Sequence, residues 1–308
     1  MKSNTLLVTF ASAALFAVAL FAQERNPGEV FERDGAVVEM PDADAPAQSE
    51  ATVATAGEGV ELPSPDKFLL VLLTGQSNMA GRGIITDENK TLNPRVLMLD
   101  KDMHWVVAKD PVHFDKKVAG AGIARPFAER LAADHPGCFV GLVPVACGGS
   151  SLTEWLPGKF CDSTKTYPFD DAMKRIDAVA GQGRWTAILF HQGESDTSSR
   201  ADQYYGLLTA HVKTLREKLG APQVPVIIGE LARWDDRPSR PGNIKVTEAH
   251  RRVAAEQQPA AFVSSADLTP NPDRVHFDAR SVKIFGRRYY EAFAALGTLP
   301  APENNDKE

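Results

Sequence analysis

Six short apolar runs, each about the length of a β-strand and separated by longer stretches of helical periodicity, constrain this chain most. They are KFLLVLL (Lys67–Leu73), RVLMLD (Arg95–Asp100), FVGLVPVA (Phe139–Ala146), WTAILFHQ (Trp185–Gln192), PVIIGELA (Pro225–Ala232) and AFVSSA (Ala261–Ala266). A strand with one face in water alternates apolar and polar residues. An unbroken run suits a strand covered on both faces, as in a parallel sheet. Between the runs, Ile123, Phe127 and Leu131 recur every four residues; Met173, Ile176 and Val179 mark a second stripe; and Leu208, Val212, Leu215 and Leu219 mark a third. Residues 243–257 and 279–295 read as two more helices. This alternation predicts an α/β fold, a three-layer α/β/α sandwich with a mainly parallel central sheet and right-handed crossovers. One domain over residues 66–298 accommodates it, and there is no internal repeat.

The flanks read differently. Residues 5–22 carry no charge and follow Lys2, which reads as a signal peptide over residues 1–22, cleaved after Ala22. Eighteen apolar residues are also just long enough for an uncleaved membrane anchor. Cleavage predicts a secreted or periplasmic protein with no stable membrane association. Residues 23–65 hold ten acidic and two basic residues and few large apolar ones. They read as an acidic flexible linker, with packing near Val30 and Phe31 as the alternative. Residues 299–308 read as a disordered tail. With the linker's charge set aside, the remaining body is nearly neutral and lacks the basic excess that nucleic-acid binding needs. Three cysteines are too few for a disulfide scaffold, although Cys138 and Cys161 could pair after export. Cys147 reads as a small buried packing residue.

In open α/β sheets, ligands bind outside the carboxyl ends of the strands. Four segments lie there: GQSNMAGRG from Gly75, CGGSSLTEW from Cys147, HQGESD from His191, and DRVHFD from Asp273. Ser77, directly after the first strand, could project a hydroxyl into a cleft. The Gly148-Gly149 pair lets a backbone N–H approach a ligand closely, as an oxyanion requires. Gln192 could add a side-chain amide, and Glu194 could act as base, as histidine orienter or as a hydrogen-bond acceptor. Asp273 stands three residues before His276 in a proline-broken loop, so its carboxylate can reach Nδ1 and leave Nε2 to take a proton from serine. The glycines near Ser77 fit neither a phosphate loop nor a nucleophile elbow. No zinc-protease motif or Cys/His cluster at ligand spacing occurs, so no metal or other cofactor is expected. His104 and His113 read as structural residues of a loop-like region. Trp105, Trp155 and Trp234 read as loop residues near the site edge, either stacking on a sugar or buried at the core rim.

Taken together, GQSNMAGRG, GGSSLTEW, HQGESDT and DRVHFDARS resemble the four blocks of the SGNH hydrolase superfamily. More narrowly, they are similar to carbohydrate esterase family six and sialate O-acetylesterase-like domains. The resemblance spans about Asp66 to Leu296. It implies a flavodoxin-like sandwich and a serine esterase that removes O-acetyl groups from an oligo- or polysaccharide, either acetylated xylan, another glycan or O-acetyl sialic acid. By motif, Ser77 matches the nucleophile and His276 the base. Ser77, Gly149 and Gln192 match the oxyanion donors, Gln192 standing where the wider superfamily has Asn. Asp273 matches the orienting acid, with Glu194 as the alternative. A non-catalytic carbohydrate-binding protein and a lipid esterase are the competing readings.

Overall fold

The computed structural model describes residues 53–299. The signal peptide, the linker up to residue 52 and the tail from residue 300 lie outside the described residues. Eight strands are present: β1 (Thr55–Ala56), β2 (Phe68–Gly75), β3 (Val96–Leu99), β4 (His104–Val107), β5 (Phe139–Pro144), β6 (Arg184–His191), β7 (Val226–Gly229) and β8 (Ala260–Val263). The helices are α1 (Ser77–Ala80), α2 (Ala124–Asp134), α3 (Pro168–Ala178), α4 (Tyr204–Lys218), α5 (Pro241–Glu256) and α6 (Ala279–Ala295). All strands join one sheet in the order β1-β4-β3-β5-β2-β6-β7-β8. Every pairing is parallel except that of β3 with β4. The five strands β5-β2-β6-β7-β8 follow the flavodoxin-like order 2-1-3-4-5, with β3 added beyond β5.

Successive side chains of a strand point to opposite faces. Phe68, Leu70 and Leu72 of β2 therefore join one core with Ile176 of α3, Leu208 and Val212 of α4 and Val253 of α5. Leu69, Val71 and Leu73 join a second core with Phe127 and Leu131 of α2 and Phe285 and Tyr289 of α6. Both faces of β2 are closed, which is why its sequence is uniformly apolar and every residue in it is buried. The helices α3, α4 and α5 form one outer layer, and α2 and α6 form the other.

The domain starts earlier than residue 66. Ala54 is buried and its N–H donates to Ala178 O at 2.7 Å, β1 pairs with β4, and the Gly57 N–H donates to Trp105 O at 2.8 Å. This edge is held by backbone hydrogen bonds, which composition does not reveal. His104 and Trp105 belong to β4 rather than to a loop. Trp105 is fully buried edge-on against Phe68 at 4.8 Å, with Nε1 donating to Gln182 Oε1. Trp155 is buried too, its Nε1 donating to Ser150 Oγ. Trp234 is half-buried against Phe277. All three cysteines are free. Cys138 packs into the α2/α6 core and Cys161 into the core on the other side of the sheet, so these two cannot pair.

Burial also sets an acid limit on the fold. It pulls His113 and His211 down to about 4 and His250 to about 3, so all three are neutral at pH 7. In the unfolded chain each titrates near the ordinary value, about 6.5. As pH falls from about 6.5 toward 4 the unfolded state binds the extra protons, and stability drops by up to about 1.4 kcal/mol per pH unit for each histidine. The thermal midpoint should hold near pH 7, fall steeply across that window, and fall less steeply in His211→Leu. A His211→Leu slope equal to that of the wild type contradicts this account.

Candidate active site

The strand order reverses around β2. The strands that follow it first, β3 and β5, lie on one side, and β6, β7 and β8 lie on the other. The crevice at the carboxyl end of β2 is therefore the topological switch point, where α/β folds bind ligands. Three of the four motif segments open onto it, after β2, β5 and β6. The DRVHFD loop arrives after β8.

Gly75 closes β2 at φ +139°, and a Cβ there would lie 2.0 Å from His191 O, so only glycine fits. The same junction is tied by Gln76 N–H to His191 O and by Cys147 N–H to Gly75 O, both 2.9 Å. The chain then turns into α1, whose first residue is Ser77. Ser77 Oγ lies 3.0 Å from His276 Nε2, and His276 Nδ1 lies 2.7 Å from Asp273 Oδ2. The other Asp273 oxygen accepts the N–H of Val275 at 2.9 Å and of His276 at 3.0 Å. Partial burial works against ionisation of Asp273. It is outweighed by the His276 imidazole and by these two N–H groups, which hold the carboxyl below its ordinary range. The Phe277 N–H donates to Asn78 Oδ1 at 3.2 Å and locks the histidine loop onto the serine turn.

Glu194 lies beneath this junction and makes no hydrogen bond to His276. Its Oε1 accepts from Asn78 Nδ2 at 2.6 Å and faces His191 Nε2 at 3.4 Å. Burial alone would raise its carboxyl. The His191 imidazole and the Asn78 amide outweigh that and hold it well below the usual carboxylate range. Glu194 thus braces Asn78, and the structure gives the His276 contact to Asp273.

The two expected oxyanion donors beside Ser77 are placed differently. Gly149 is exposed at φ +88°, and its N–H makes no hydrogen bond among the described residues, nor does that of Ser77. Gln192 is fully buried and its amide is spent inside the protein. Nε2 reaches Asp196 Oδ2 at 2.6 Å, Ser150 O at 3.0 Å and Gln76 Oε1 at 3.2 Å, while Oε1 accepts from Tyr204. Two amide hydrogens already face three acceptors, which leaves none for a substrate oxygen. The expectation of Gln192 as a direct donor is corrected on this ground. Its contact, with the N–H groups of Gly193 and Ser195, fixes the oxygen of Gln76 instead. Gln76 Nε2, next to Ser77, has no partner among the described residues.

A buried ion pair that no motif announced holds these loops in register. Arg82 and Asp115 meet at 2.6 Å with side chains only 5% and 3% exposed. Asp115 Oδ2 also accepts the Gly148 N–H at 2.9 Å. Arg82 donates to Gly81 O at 2.7 Å, and its own carbonyl accepts from Asn271 Nδ2 at 2.6 Å. One pair therefore fastens the serine loop, the Gly148-Gly149 turn and the loop that carries His276. Arg82 was visible as the arginine of GQSNMAGRG. Asp115 had no signal, because its partners lie 33 residues away on either side. Among the described residues, no group of three or more His, Cys, Asp or Glu side chains could hold a metal ion.

The family profile described as carbohydrate esterase, sialic acid-specific acetylesterase, matches residues 67–295. A probable carbohydrate esterase of Arabidopsis thaliana is 32% identical over 192 residues, covering 54% of this chain and 70% of that protein. The crystal structure of the Arabidopsis thaliana protein superposes with a TM-score of 0.60 at 27% identity, over 75% of this chain and 99% of that one. The crystal structure of NanS gives a TM-score of 0.61 at 16% identity, over 77% and 99%, a likeness of fold. All four motif segments lie inside the matched span, and the chain belongs to the sialic acid-specific acetylesterase family of carbohydrate esterases, with the SGNH hydrolase fold.

Proposed function

We propose that this protein is a serine esterase that removes O-acetyl groups from carbohydrates through an acetyl-enzyme on Ser77. The observation that carries the reading is the continuous Ser77–His276–Asp273 chain, with contacts of 3.0 and 2.7 Å. His276 Nε2 takes the Ser77 proton as Oγ attacks the acetyl carbonyl. Asp273 holds the ring orientation and stabilises the imidazolium. The tetrahedral oxyanion is received by the N–H groups of Ser77 and Gly149 and by Gln76 Nε2, which Gln192 holds in place. The imidazolium then protonates the departing sugar oxygen, and the C–O bond breaks. Water, deprotonated by the same histidine, attacks the acetyl-enzyme. Acetate leaves, and the proton returns to Ser77.

The family description favours O-acetyl sialic acid among substrates. Acetylated xylan is the second reading, supported by the leader-like residues 5–22, which would send the enzyme to extracellular polymer. Acetate release measured across a panel of acetylated glycans separates the two.

Four substitutions test the machinery. Ser77→Ala should lower kcat on p-nitrophenyl acetate by at least about 10,000-fold while the fold is retained, and near-normal turnover refutes the reading. Asp273→Asn should cost about 100- to 10,000-fold in kcat. Glu194→Gln should act mainly on thermal stability; a larger kcat loss in Glu194→Gln than in Asp273→Asn would redraw the triad. Asp115→Ala should lower kcat about 10- to 100-fold with little change in KM, because it releases the turn that aims an oxyanion donor. A change in KM alone contradicts that positioning role.

A further inference from the structure

In the turn from Cys147 to Ser150, every backbone polar group has a partner except one. The Cys147 N–H goes to Gly75 O at 2.9 Å, and the Cys147 carbonyl accepts from the Ser150 N–H at 3.2 Å and from Ser150 Oγ at 2.8 Å. The Gly148 N–H goes to Asp115 Oδ2 at 2.9 Å, and the Gly148 carbonyl accepts from Ser163 Oγ at 2.5 Å. The Gly149 carbonyl accepts from Ser195 Oγ at 3.0 Å, and the Ser150 carbonyl from Gln192 Nε2 at 3.0 Å. Only the Gly149 N–H makes no hydrogen bond among the described residues. A spare donor in an otherwise paired turn is what a developing oxyanion can use.

The direction of that donor is set from the far side of its own peptide. The Gly148 carbonyl and the Gly149 N–H belong to one planar trans unit, so they point in opposite directions. Whatever holds the carbonyl also fixes the line of the N–H. Ser163 holds it, from a hairpin outside the four motif segments. Cys161 and Thr166 pair across this hairpin, with the Cys161 N–H donating to Thr166 O at 2.8 Å, and the Cys161 side chain is fully buried. Thr164 Oγ1 meets Cys147 Sγ at 2.9 Å, which fastens the hairpin to the start of the glycine turn. Ser163 stands between these two anchors. A Cβ at Gly149 would lie 2.9 Å from Ser163 Oγ, so the hydroxyl occupies the space that a side chain there would need. A hydrogen bond accepted by a carbonyl also polarises the peptide and strengthens its N–H as a donor.

We propose that Ser163 is a positioning residue of the esterase: its hydroxyl, through the Gly148 carbonyl, aims the Gly149 N–H at the oxygen of the tetrahedral intermediate. The role rests on the acetyl-enzyme reading and names a residue that the motifs do not contain. It differs from that of Asp115, which grips the preceding peptide unit through the Gly148 N–H. Ser163 makes no hydrogen bond to Ser77, His276 or Asp273 among the described residues, so it acts on the reaction through the peptide alone.

The experiment compares p-nitrophenyl acetate hydrolysis by Ser163→Ala, Ser163→Thr and Ser77→Ala across a range of pH. Ser163 is exposed, so removing its hydroxyl opens no cavity and leaves the fold intact. An aimed oxyanion donor acts in the transition state, so Ser163→Ala should lower kcat about 5- to 30-fold with KM within about twofold of wild type. Ser163→Thr, which keeps a hydroxyl, should recover kcat to within about threefold of wild type. The pH of half-maximal kcat/KM should not move, because the Ser77–His276–Asp273 contacts are untouched. A kcat unchanged in Ser163→Ala, a loss confined to KM, a Thr variant as slow as the Ala variant, or a displaced pH profile each overturns the role. The control separates the two levels of failure. With Ser77→Ala inactive, an unchanged Ser163→Ala overturns the positioning role alone; turnover retained by Ser77→Ala overturns the acetyl-enzyme and the positioning role together.

Discussion

The close approach of two strand ends, where the backbone of Gly75 meets that of His191, is the contact on which the rest depends. Four backbone groups converge there. Gly75 sits beside His191 in the β2–β6 register, the Gln76 N–H reaches His191 O, and the Cys147 N–H reaches Gly75 O. The carboxyl ends of β5, β2 and β6 are thereby joined at one point. Ser77, Gly149 and Glu194 each follow that junction by a few residues. Any side chain at position 75 would force β2 and β6 apart and move the three segments independently.

Around this junction the loops are held by buried polar contacts rather than by regular structure. Glu194 braces Asn78, and Asn78 takes the Phe277 N–H, so the histidine loop rests on the serine turn. Gln192 shares its amide among Asp196, Ser150 and Gln76. Arg82 and Asp115 tie the outer side. A buried polar group that loses its partner costs about 1–3 kcal/mol. Each link therefore favours one loop arrangement over its neighbours, and the Ser77–His276 distance is the result of all of them.

Much of this could be read from the chain before its structure was known. The doubly covered strands β2, β5 and β6 announced themselves as unbroken apolar runs, and α6 was bounded from Ala279 to Ala295 by its periodicity. The Asp273–His276 contact was legible because it spans three residues in a turn. Contacts of long sequence separation were not. The edge strand β1 and its neighbour β4 are short and backbone-held, so Thr55 and His104 carried no strand pattern. Asp115 grips Gly148 from 33 residues away. Gln192 stood at the motif position for a donor, but whether its amide faces the crevice or the interior depends on Asp196, Ser150 and Gln76, which only folding brings together. Trp105 read as a loop aromatic because nothing local shows that Phe68 and Gln182 enclose it.

The central claim is that the hydroxyl at position 77 is an activated nucleophile. Reaction with an organophosphate ester, followed by peptide mapping in a mass spectrometer, tests it directly, since the reagent phosphorylates a serine only where a base removes its proton and an oxyanion site receives the oxygen. The account predicts one adduct per chain, carried by the peptide that contains Ser77, and none after His276→Ala. An intact Ser77 peptide under conditions that label a known serine esterase, or an adduct on another serine, contradicts it.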